Sequence, residues 1–295
     1  MDGLTARQPA LSGAKGPEGR IAATLLLILA SAAGPSGRAA AAQQVAPNRA
    51  TAYLFTTDVH DARAIWLNPA GLGVLREASI YAEASVGDPG SRGRLRQLNA
   101  GFNSRGISFG FQHDVLDDGL KGNTYRLGLA GGSGGLALGA DMVRYTGGGA
   151  KGTGWDIGVT YVPTPPLNVG LVVTNIGQPV VRGLQQRLTY IPGLTWRPTL
   201  AFSFSSDARI TPDSVASYAF GASWTSGFGP SGWPLALLAR LDTDGNLRRG
   251  AFAFGLSLGA RDRVGLVLTT PGDVSRVDQA SLYGLSARES TGGGR

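Results

Sequence analysis

The sequence lacks cysteine and contains only two histidines, His60 and His113. The absence of cysteine excludes a disulfide framework and leaves the redox compartment open. A hydrolase built on histidine would need a nucleophile within hydrogen-bonding reach of it. His113 stands beside Asp114 but near no evident nucleophile, and the two histidines are far apart in the chain. We therefore predict that the protein is not an enzyme and that it holds no metal and no cofactor.

Charged residues are also scarce, at 16% of the 295 residues, although the formal net charge is +7. The Lys and Arg residues form no clustered stripe, and such a stripe is the electrostatic footprint of a nucleic-acid-binding protein. We expect no nucleic-acid partner. A mild positive excess suits contact with the anionic headgroups of membrane lipids.

Long apolar runs are nearly absent as well. The one clear run, from Ile21 to Ala33, is too short to span a bilayer as a stable helix. Lys15 and Arg20 precede it, and the small residues Ala40 to Ala42 follow it. This order is typical of an export signal that is cleaved after the small residues. The sequence predicts a cleaved signal peptide over residues 1–42.

Glycine is abundant, with 46 residues, and it is interleaved with Leu, Val and Phe. Such interleaving suits a β-barrel, where glycine permits tight turns and close packing at crowded inward positions. Beyond Leu75 the dominant pattern is period two, which places successive side chains on opposite faces of a strand. From Trp155 to Tyr161 every second residue is bulky, and Asp156, Gly158 and Thr160 lie between them.

The composition of the two faces distinguishes a membrane barrel from a soluble sandwich. A soluble sandwich packs its bulky face inside and covers the other with Lys, Glu and Thr. Here the second face is made of Gly, Ala, Ser, Asn and Thr, too small and too uncharged for an ordinary soluble exterior. A transmembrane barrel reverses the roles, with bulky residues in lipid and small polar residues in the lumen. We predict an all-β transmembrane antiparallel barrel.

Thirteen strand-like runs can be counted, an odd number that single-chain bacterial barrels do not adopt. A missed strand near Arg187 to Ile191 would give 14, and one false run would give 12. The predicted division is a plug or hatch segment over 43–77, the barrel over 78–288 and a tail over 289–295. Turns near 104–106 are short, whereas 147–154 and 177–192 are longer, which places the longer ones on the outer side.

The segment from Asp61 to Leu72, with the sequence DARAIWLNPAGL, precedes the first strand. Residues Asp61 to Leu67 can form about two helical turns, which Pro69 would end. One hypothesis is a hatch that plugs the lumen and shifts to let a ligand pass. The other is a helix stop that caps the barrel, with Asn68 bonded to nearby backbone and Gly71 at positive φ. The motif residues are Asp61, Trp66, Asn68, Pro69, Ala70 and Gly71.

Six charged residues fall on the inward phase of the predicted strands. Buried charges are usually paired, so a salt-bridge network in the lumen is one interpretation. A charged constriction that selects solutes is the other. The sequence alone does not pair them. The residues are Glu83, Arg126, Asp141, Asp156, Arg240 and Asp242.

The run from Asp61 to Leu72 resembles the N-terminal signature of the FadL-like outer-membrane proteins, most closely their PorV/PorQ branch. The stretch from Gly170 to Pro179, with Ile191-Pro192 further on, resembles a second motif of that branch. The resemblance implies 14 strands and the outer membrane of a Gram-negative-type (diderm) bacterium.

Two functions follow from this resemblance. The PorV branch implies a scaffold for protein secretion or surface attachment, which we expect here because the chain leaves little length for ligand-capturing loops. The alternative is a transporter or channel for hydrophobic or amphiphilic small molecules. The expected partners are outer-membrane lipid with a secretion-system or secreted protein, or else a hydrophobic ligand. Candidate docking residues in the longest outer segment are Arg182, Arg187, Tyr190 and Trp196.

Overall fold

The computed structural model describes residues 51–289, apart from 52, 76, 90–92, 116–118, 148–149, 182–183 and 228–232, and apart from the side chains of 150 and 151. The predicted signal peptide and most of the predicted tail lie outside the described residues. Two short 3₁₀ helices, Ala62–Trp66 and Pro69–Gly73, come before the first strand. No helix among the described residues is long and apolar enough to cross a membrane.

Sixteen strands follow in the described part of the chain, of which β8 and β9 have two residues each. Their bounds are β1 Glu77–Gly87, β2 Arg94–Ser104, β3 Ile107–Val115, β4 Lys121–Ser133, β5 Leu136–Gly147, β6 Ala150–Thr164, β7 Leu167–Ile176, β8 Val180–Val181, β9 Leu184–Gln185, β10 Thr189–Trp196, β11 Phe202–Ile210, β12 Val215–Thr225, β13 Leu235–Asp244, β14 Arg249–Leu258, β15 Asp262–Pro271 and β16 Gln279–Glu289.

The fourteen longer strands form one closed antiparallel barrel. Each pairs with the next along the chain, β7 pairs with β10, and β1 closes the circle on β16 with Glu77 opposite Glu289. Closure leaves the fourteen barrel strands without an open edge, which a bilayer would not tolerate. The larger of the two predicted strand numbers is confirmed. The extra strand is β10, which begins inside the segment Arg187 to Ile191.

Some predicted boundaries differ from the structure. The segment 147–154 is not a long loop, because β5 continues to Gly147 and β6 begins at Ala150. The segment 177–192 holds the β8–β9 hairpin and the start of β10. Glycine and polar residues hide these extensions from a pattern based on hydrophobicity, although the backbone ladder continues through them. The barrel strands run from Glu77 to Glu289, one residue beyond the predicted bounds at each end.

The two ends of the barrel differ. At one end lie Glu77 and Glu289, the first and last residues of the strands, and we call it the terminal end. Its turns after β2, β4 and β6 have two residues each. The other end, which we call the loop end, carries the connection between β7 and β10 with its small hairpin.

The outer surface of the barrel is apolar, as the alternation predicts. Ile80 is 62% exposed whereas its neighbour Tyr81 is 1% exposed, and Leu129 on β4 is 66% exposed. The inward face holds small and polar residues such as Thr160 and Asn103, which are buried. A continuous apolar surface of this kind is untenable in water but fits the hydrocarbon core of a bilayer. The fold is a transmembrane barrel.

Charge placed on this apolar surface should destabilise the protein. Leu266, near the middle of β15, is 43% exposed and faces outward. We expect Leu266→Lys to lower the free energy of unfolding by about 2–4 kcal/mol, the cost of Lys on the lipid face near the bilayer midplane. Urea titration in lipid vesicles measures it. The matched variant Leu247→Lys, in the exposed turn after β13, should change it little; equal effects would contradict the assigned lipid face.

Candidate functional site

The segment 53–75 fills the lumen, and we call it the plug. Tyr53 and Trp66 are buried, and Ile65 and Leu72 are fully buried. These residues form an apolar cluster with wall residues such as Tyr81, which faces the lumen from β1. A 14-strand barrel is wider than the eight-strand barrels that wall side chains can fill. The plug supplies the missing volume.

Each of the two plug helices begins at a motif residue. The carboxylate of Asp61 accepts the Arg63 N–H at 2.9 Å, which satisfies a free donor at the start of the first helix. The helical turns predicted for Asp61 to Leu67 are present as the 3₁₀ helix Ala62–Trp66. Pro69 does end it, and it also opens the second helix, where its fixed φ is favourable.

Asn68 is the polar centre of the plug. Its Oδ1 accepts the Ala70 N–H at 3.0 Å, which caps the second helix. Its Nδ2 donates to the Thr56 carbonyl at 3.1 Å and to the Thr160 hydroxyl of β6 at 2.9 Å. The side chain is 1% exposed. Asn68 therefore joins two parts of the plug to each other and to the barrel wall.

Gly71 is needed for space and not for backbone conformation. Its φ is not positive, contrary to the expectation from the sequence. A Cβ at this position would lie 2.9 Å from the Cβ of Ala64 and still nearer the Val59 carbonyl. The two plug helices could not pack against each other with a larger residue here.

Seven inward glycines on seven strands form a seat for the plug, which we call the glycine collar. An added Cβ at Gly110 would lie 2.9 Å from the Trp66 ring, and one at Gly139 would lie 2.5 Å from the Ala70 nitrogen. The plug backbone thus approaches the wall more closely than any side chain would allow. The members are Gly101, Gly110, Gly139, Gly158, Gly170, Gly193 and Gly221.

Three of the predicted lumen charges form one cluster. Arg126 donates from Nη1 to Asp141 at 2.7 Å and to Asp156 at 2.8 Å. The same nitrogen donates to the Ile65 carbonyl of the plug at 3.1 Å, and the guanidinium lies 5.5 Å from the centroid of the Trp66 ring. This ion-pair cluster is also an attachment point for the plug.

Arg240 and Asp242 form a second attachment point. Arg240 lies 2.8 Å from Asp242 and donates to the Leu54 carbonyl of the plug. Its guanidinium carbon lies 4.6 Å from the centroid of the Phe55 ring, within cation–π range. Asp207 of β11 accepts from the backbone N–H of Thr56 at 3.1 Å and from its hydroxyl at 2.8 Å.

Glu83 forms an ion pair with neither Arg126 nor Arg240. Its carboxylate accepts from the Tyr81 hydroxyl on the same strand.

Arg63 of the plug lies 5.4 Å from the centroid of the Tyr283 ring and bonds to Asp61 at 2.7 Å. Sequence reasoning missed Arg63, although its spacing from Asp61 was a signal. It also missed Asp207, which shares the inward phase of Ser203 and Ser205.

His60 and Asp61 are among the plug groups whose pKa values are shifted. Burial lowers the pKa of His60 below its ordinary value, so the imidazole is neutral at pH 7. Burial would raise the pKa of Asp61, but the charge and hydrogen bonds of Arg63 outweigh it and hold that pKa below the ordinary value. Asp61 therefore stays ionised in the lumen, as the partner of Arg63.

The predicted docking residues are not brought together. Arg187 lies at the loop end, 2.7 Å from Asp213, and Tyr190 follows at the start of β10. Trp196 is the last residue of β10, at the terminal end, where it stacks on Phe204. Arg182 lies outside the described residues. The length of β10 separates Arg187 and Tyr190 from Trp196, so these residues form no single patch.

A cavity of about 250 Å³ lies between the plug and the wall formed by β11 to β13. The plug contributes Tyr53, Leu54, Phe55 and Val59, and Leu238 adds a further apolar side chain. Several inward serines lie opposite the plug. Arg197 pairs with Asp58, and Arg263 is a further cation of the lining. The serines that contribute to the lining are Ser203, Ser205, Ser223 and Ser257.

The cavity belongs to the terminal half of the lumen. Its lining on β12 begins at Gly221 and extends to Thr225, where the strand reaches the terminal end. On β13 it covers Ala236 to Ala239, the first part of a strand that starts from that end. The site thus combines apolar plug side chains with a hydroxyl-bearing wall and with the charged side chains of Asp58, Arg63, Arg197 and Arg263. Among the described residues no cluster of three His, Cys, Asp or Glu is arranged to hold a metal ion.

Comparison with known proteins relates this chain by fold and not by sequence. No protein-family model matches it, and no curated protein matches it. It is similar to the Ralstonia pickettii toluene transporter TbuX, with a TM-score of 0.54 and 12% identity over 83% of this chain and 98% of that one. The barrel architecture is shared. At this identity the likeness establishes nothing about what is bound.

A weaker likeness is found to a protein described as the CymD monoaromatic hydrocarbon channel. The TM-score is 0.48, and the identity is 11% over 79% of this chain and 94% of that chain. A mutant of the TodX monoaromatic hydrocarbon channel gives a TM-score of 0.48, with 10% identity over the same shares of the two chains.

Replacement of Asn68 tests the hatch hypothesis against the helix stop. Asn68→Ala removes three hydrogen bonds and leaves buried partners unpaired, so the free energy of unfolding should fall by about 1–3 kcal/mol. A loosened plug should also raise the ion conductance in planar bilayers. Asn246→Ala, in an exposed turn, is the control. A folded Asn68→Ala barrel with unchanged conductance would reject the hatch and favour the helix stop.

The glycine collar gives a second prediction. Gly139→Ala would force a methyl group against the backbone of Pro69 and Ala70, and overpacking of this kind costs about 1–3 kcal/mol. The matched control is Gly284→Ala on β16, where a Cβ meets nothing within 4 Å. Thermal unfolding followed by circular dichroism measures both. Equal melting temperatures for the two variants would show that the plug does not depend on the collar.

Proposed function

We propose that this protein is an outer-membrane transporter for small hydrophobic or amphiphilic molecules, which pass through the barrel beside the plug. The observation that carries the proposal is the cavity between the plug and β11 to β13. Apolar cavities of about 150 Å³ hold benzene, so a cavity of about 250 Å³ is large enough for a small substituted ring or a short amphiphile.

The lining of the cavity fits such a ligand. Tyr53, Phe55 and Leu238 offer apolar contact, while the opposite serines offer hydroxyl groups to a polar substituent. Ligand pockets generally combine a mostly apolar lining with a few placed polar groups. The plug occupies the lumen where an open porin has water, so simple diffusion of hydrophilic solutes is a poor alternative. The toluene transporter TbuX shares the barrel fold and is consistent with the proposal.

The secretion scaffold expected from the sequence lacks a supporting observation. Its proposed docking residues are divided between the two ends of β10. In the described part of the loop end, the hairpin of β8 and β9 is small, and nothing in it favours a protein partner over solvent. Assignment to the PorV/PorQ branch and the cleaved signal peptide stay predictions, as does the absence of enzymatic activity.

Native mass spectrometry of the full protein, extracted in mild detergent from an outer membrane, tests the proposal. A lone barrel with a small apolar molecule bound is the expected result. A stable protein partner at defined stoichiometry, with the cavity empty, would overturn it and support the scaffold.

A variant that fills the cavity provides a functional test. Ala236 faces the lumen on β13 and lines the cavity, so Ala236→Leu should reduce its volume. We expect the uptake of N-phenyl-1-naphthylamine, by cells whose outer membrane contains the protein, to fall several-fold. Ala280→Leu adds the same side chain to the outward face of β16 and serves as the control. Equal uptake by both variants would show that the cavity is not on the route.

A further inference from the structure

Phe55 stands at the loop-end boundary of the cavity. On β12 the lining begins at Gly221, and a Cβ there would lie 2.5 Å from the Phe55 ring. On β13 the lining stops at Ala239, and the next residue toward the loop end is Arg240. The Phe55 ring therefore lies against the wall where the cavity ends.

A charged layer lies directly beyond the ring. Arg240 and Asp207 occupy the inward positions that follow the cavity on β13 and β11. Both are buried, and both bind the plug backbone beside Phe55, at Leu54 and Thr56. Along this wall, the Phe55 ring therefore lies between the charged layer and the cavity.

We propose that the Phe55 side chain is the gate of this route and decides the size of the molecule that passes, while the rest of the plug stays in place. The inference rests on the proposed transport function. The open state is a rotation of the Phe55 ring away from Gly221 and from the guanidinium of Arg240.

The contacts of the plug explain why the gate is local. Toward β2 to β7 the plug backbone lies on the glycine collar, and Asn68 and Arg126 bind it to the wall. Toward β10 the hydroxyls of Thr57 and Thr195 lie 2.8 Å apart. Movement of the whole plug would break all of these contacts. Rotation of Phe55 breaks its packing on Gly221 and the cation–π contact with Arg240.

Arg240 positions the gate. It binds Leu54, the residue before Phe55, and its guanidinium carbon lies 4.6 Å from the Phe55 ring centroid. Asp242 accepts three hydrogen bonds from the same guanidinium, at 2.8 to 3.2 Å, and so fixes its orientation. The closed position of the ring is thus stabilised both by packing on Gly221 and by the cation–π contact with Arg240.

The experiment uses a plug that is locked to the wall. The chain has no cysteine, so Thr57→Cys with Thr195→Cys introduces a single disulfide where two hydroxyls now touch. Phe55→Ala, Phe55→Leu and the matched control Phe254→Ala, which removes a lipid-facing ring of β14, are made in this background. Ion conductance in planar bilayers and cellular uptake of N-phenyl-1-naphthylamine are measured before and after reduction.

We expect the locked parent to retain uptake, and Phe55→Ala to raise both conductance and uptake about tenfold in the locked state, the order expected from the loss of one partly buried cation–π contact and its packing. Phe55→Leu should fall between Ala and Phe, and Phe254→Ala should match the parent. This size order is not expected from a general loss of stability, which the melting temperature of each variant monitors.

Two results would overturn the gate. One is a folded Phe55→Ala protein with the conductance and uptake of the parent. The other is uptake that disappears in the locked parent and returns on reduction, because the whole plug would then move. If Phe55→Ala raises conductance in the locked state while no form takes up the probe, the gate stands and the transport proposal fails.

Discussion

The structure depends on the fit between the plug and the inner wall of the barrel. Fourteen strands enclose a lumen that wall side chains alone do not fill, and the space is occupied by a segment with its own polar backbone. That backbone must find hydrogen-bond partners inside a closed barrel. The glycine collar lets it come close to the wall, and the wall groups Asn168, Arg126, Arg240 and Asp207 supply the partners.

The fit is uneven around the barrel. On the side of β2 to β7 the plug lies against glycine after glycine, and little space is left between plug and wall. On the side of β11 to β13 the inward residues are mostly serine and alanine, and the cavity opens there. One lumen thus contains a firmly packed half, which holds the plug, and a looser half, which can receive a small molecule.

The sequence predicted the barrel, the strand number as one of two values, and the inside and outside of the strands that show the alternation. These follow from a side-chain period of two, which needs no knowledge of neighbours. The pairing of lumen charges could not be predicted in this way. Asp141 and Asp156 become neighbours through the register of β5 and β6, and a register is a property of two strands together.

A plug segment before the first strand was predicted from the sequence, but none of its contacts were. The motif around Asn68 and Pro69 marked a structured segment before the first strand, whereas Phe55 carries no motif and becomes prominent only beside Gly221 and Arg240. The cavity is likewise a relation between distant segments. A local sequence pattern predicts whether a segment is a helix or a strand. The candidate site, in contrast, is formed by packing between segments that are distant in the sequence.

The position of the plug in the chain has a consequence for how the protein folds. Leu54 is bonded to Arg240, 186 residues later, and Thr56 to Asp207, 151 residues later. Contacts of such long sequence separation form slowly, because a large loop must close before they are made. The plug emerges before the strands during synthesis, yet its last wall partner, Tyr283, exists only once β16 has been made. We therefore expect the plug to reach its final contacts late in assembly, when the last strands are in place.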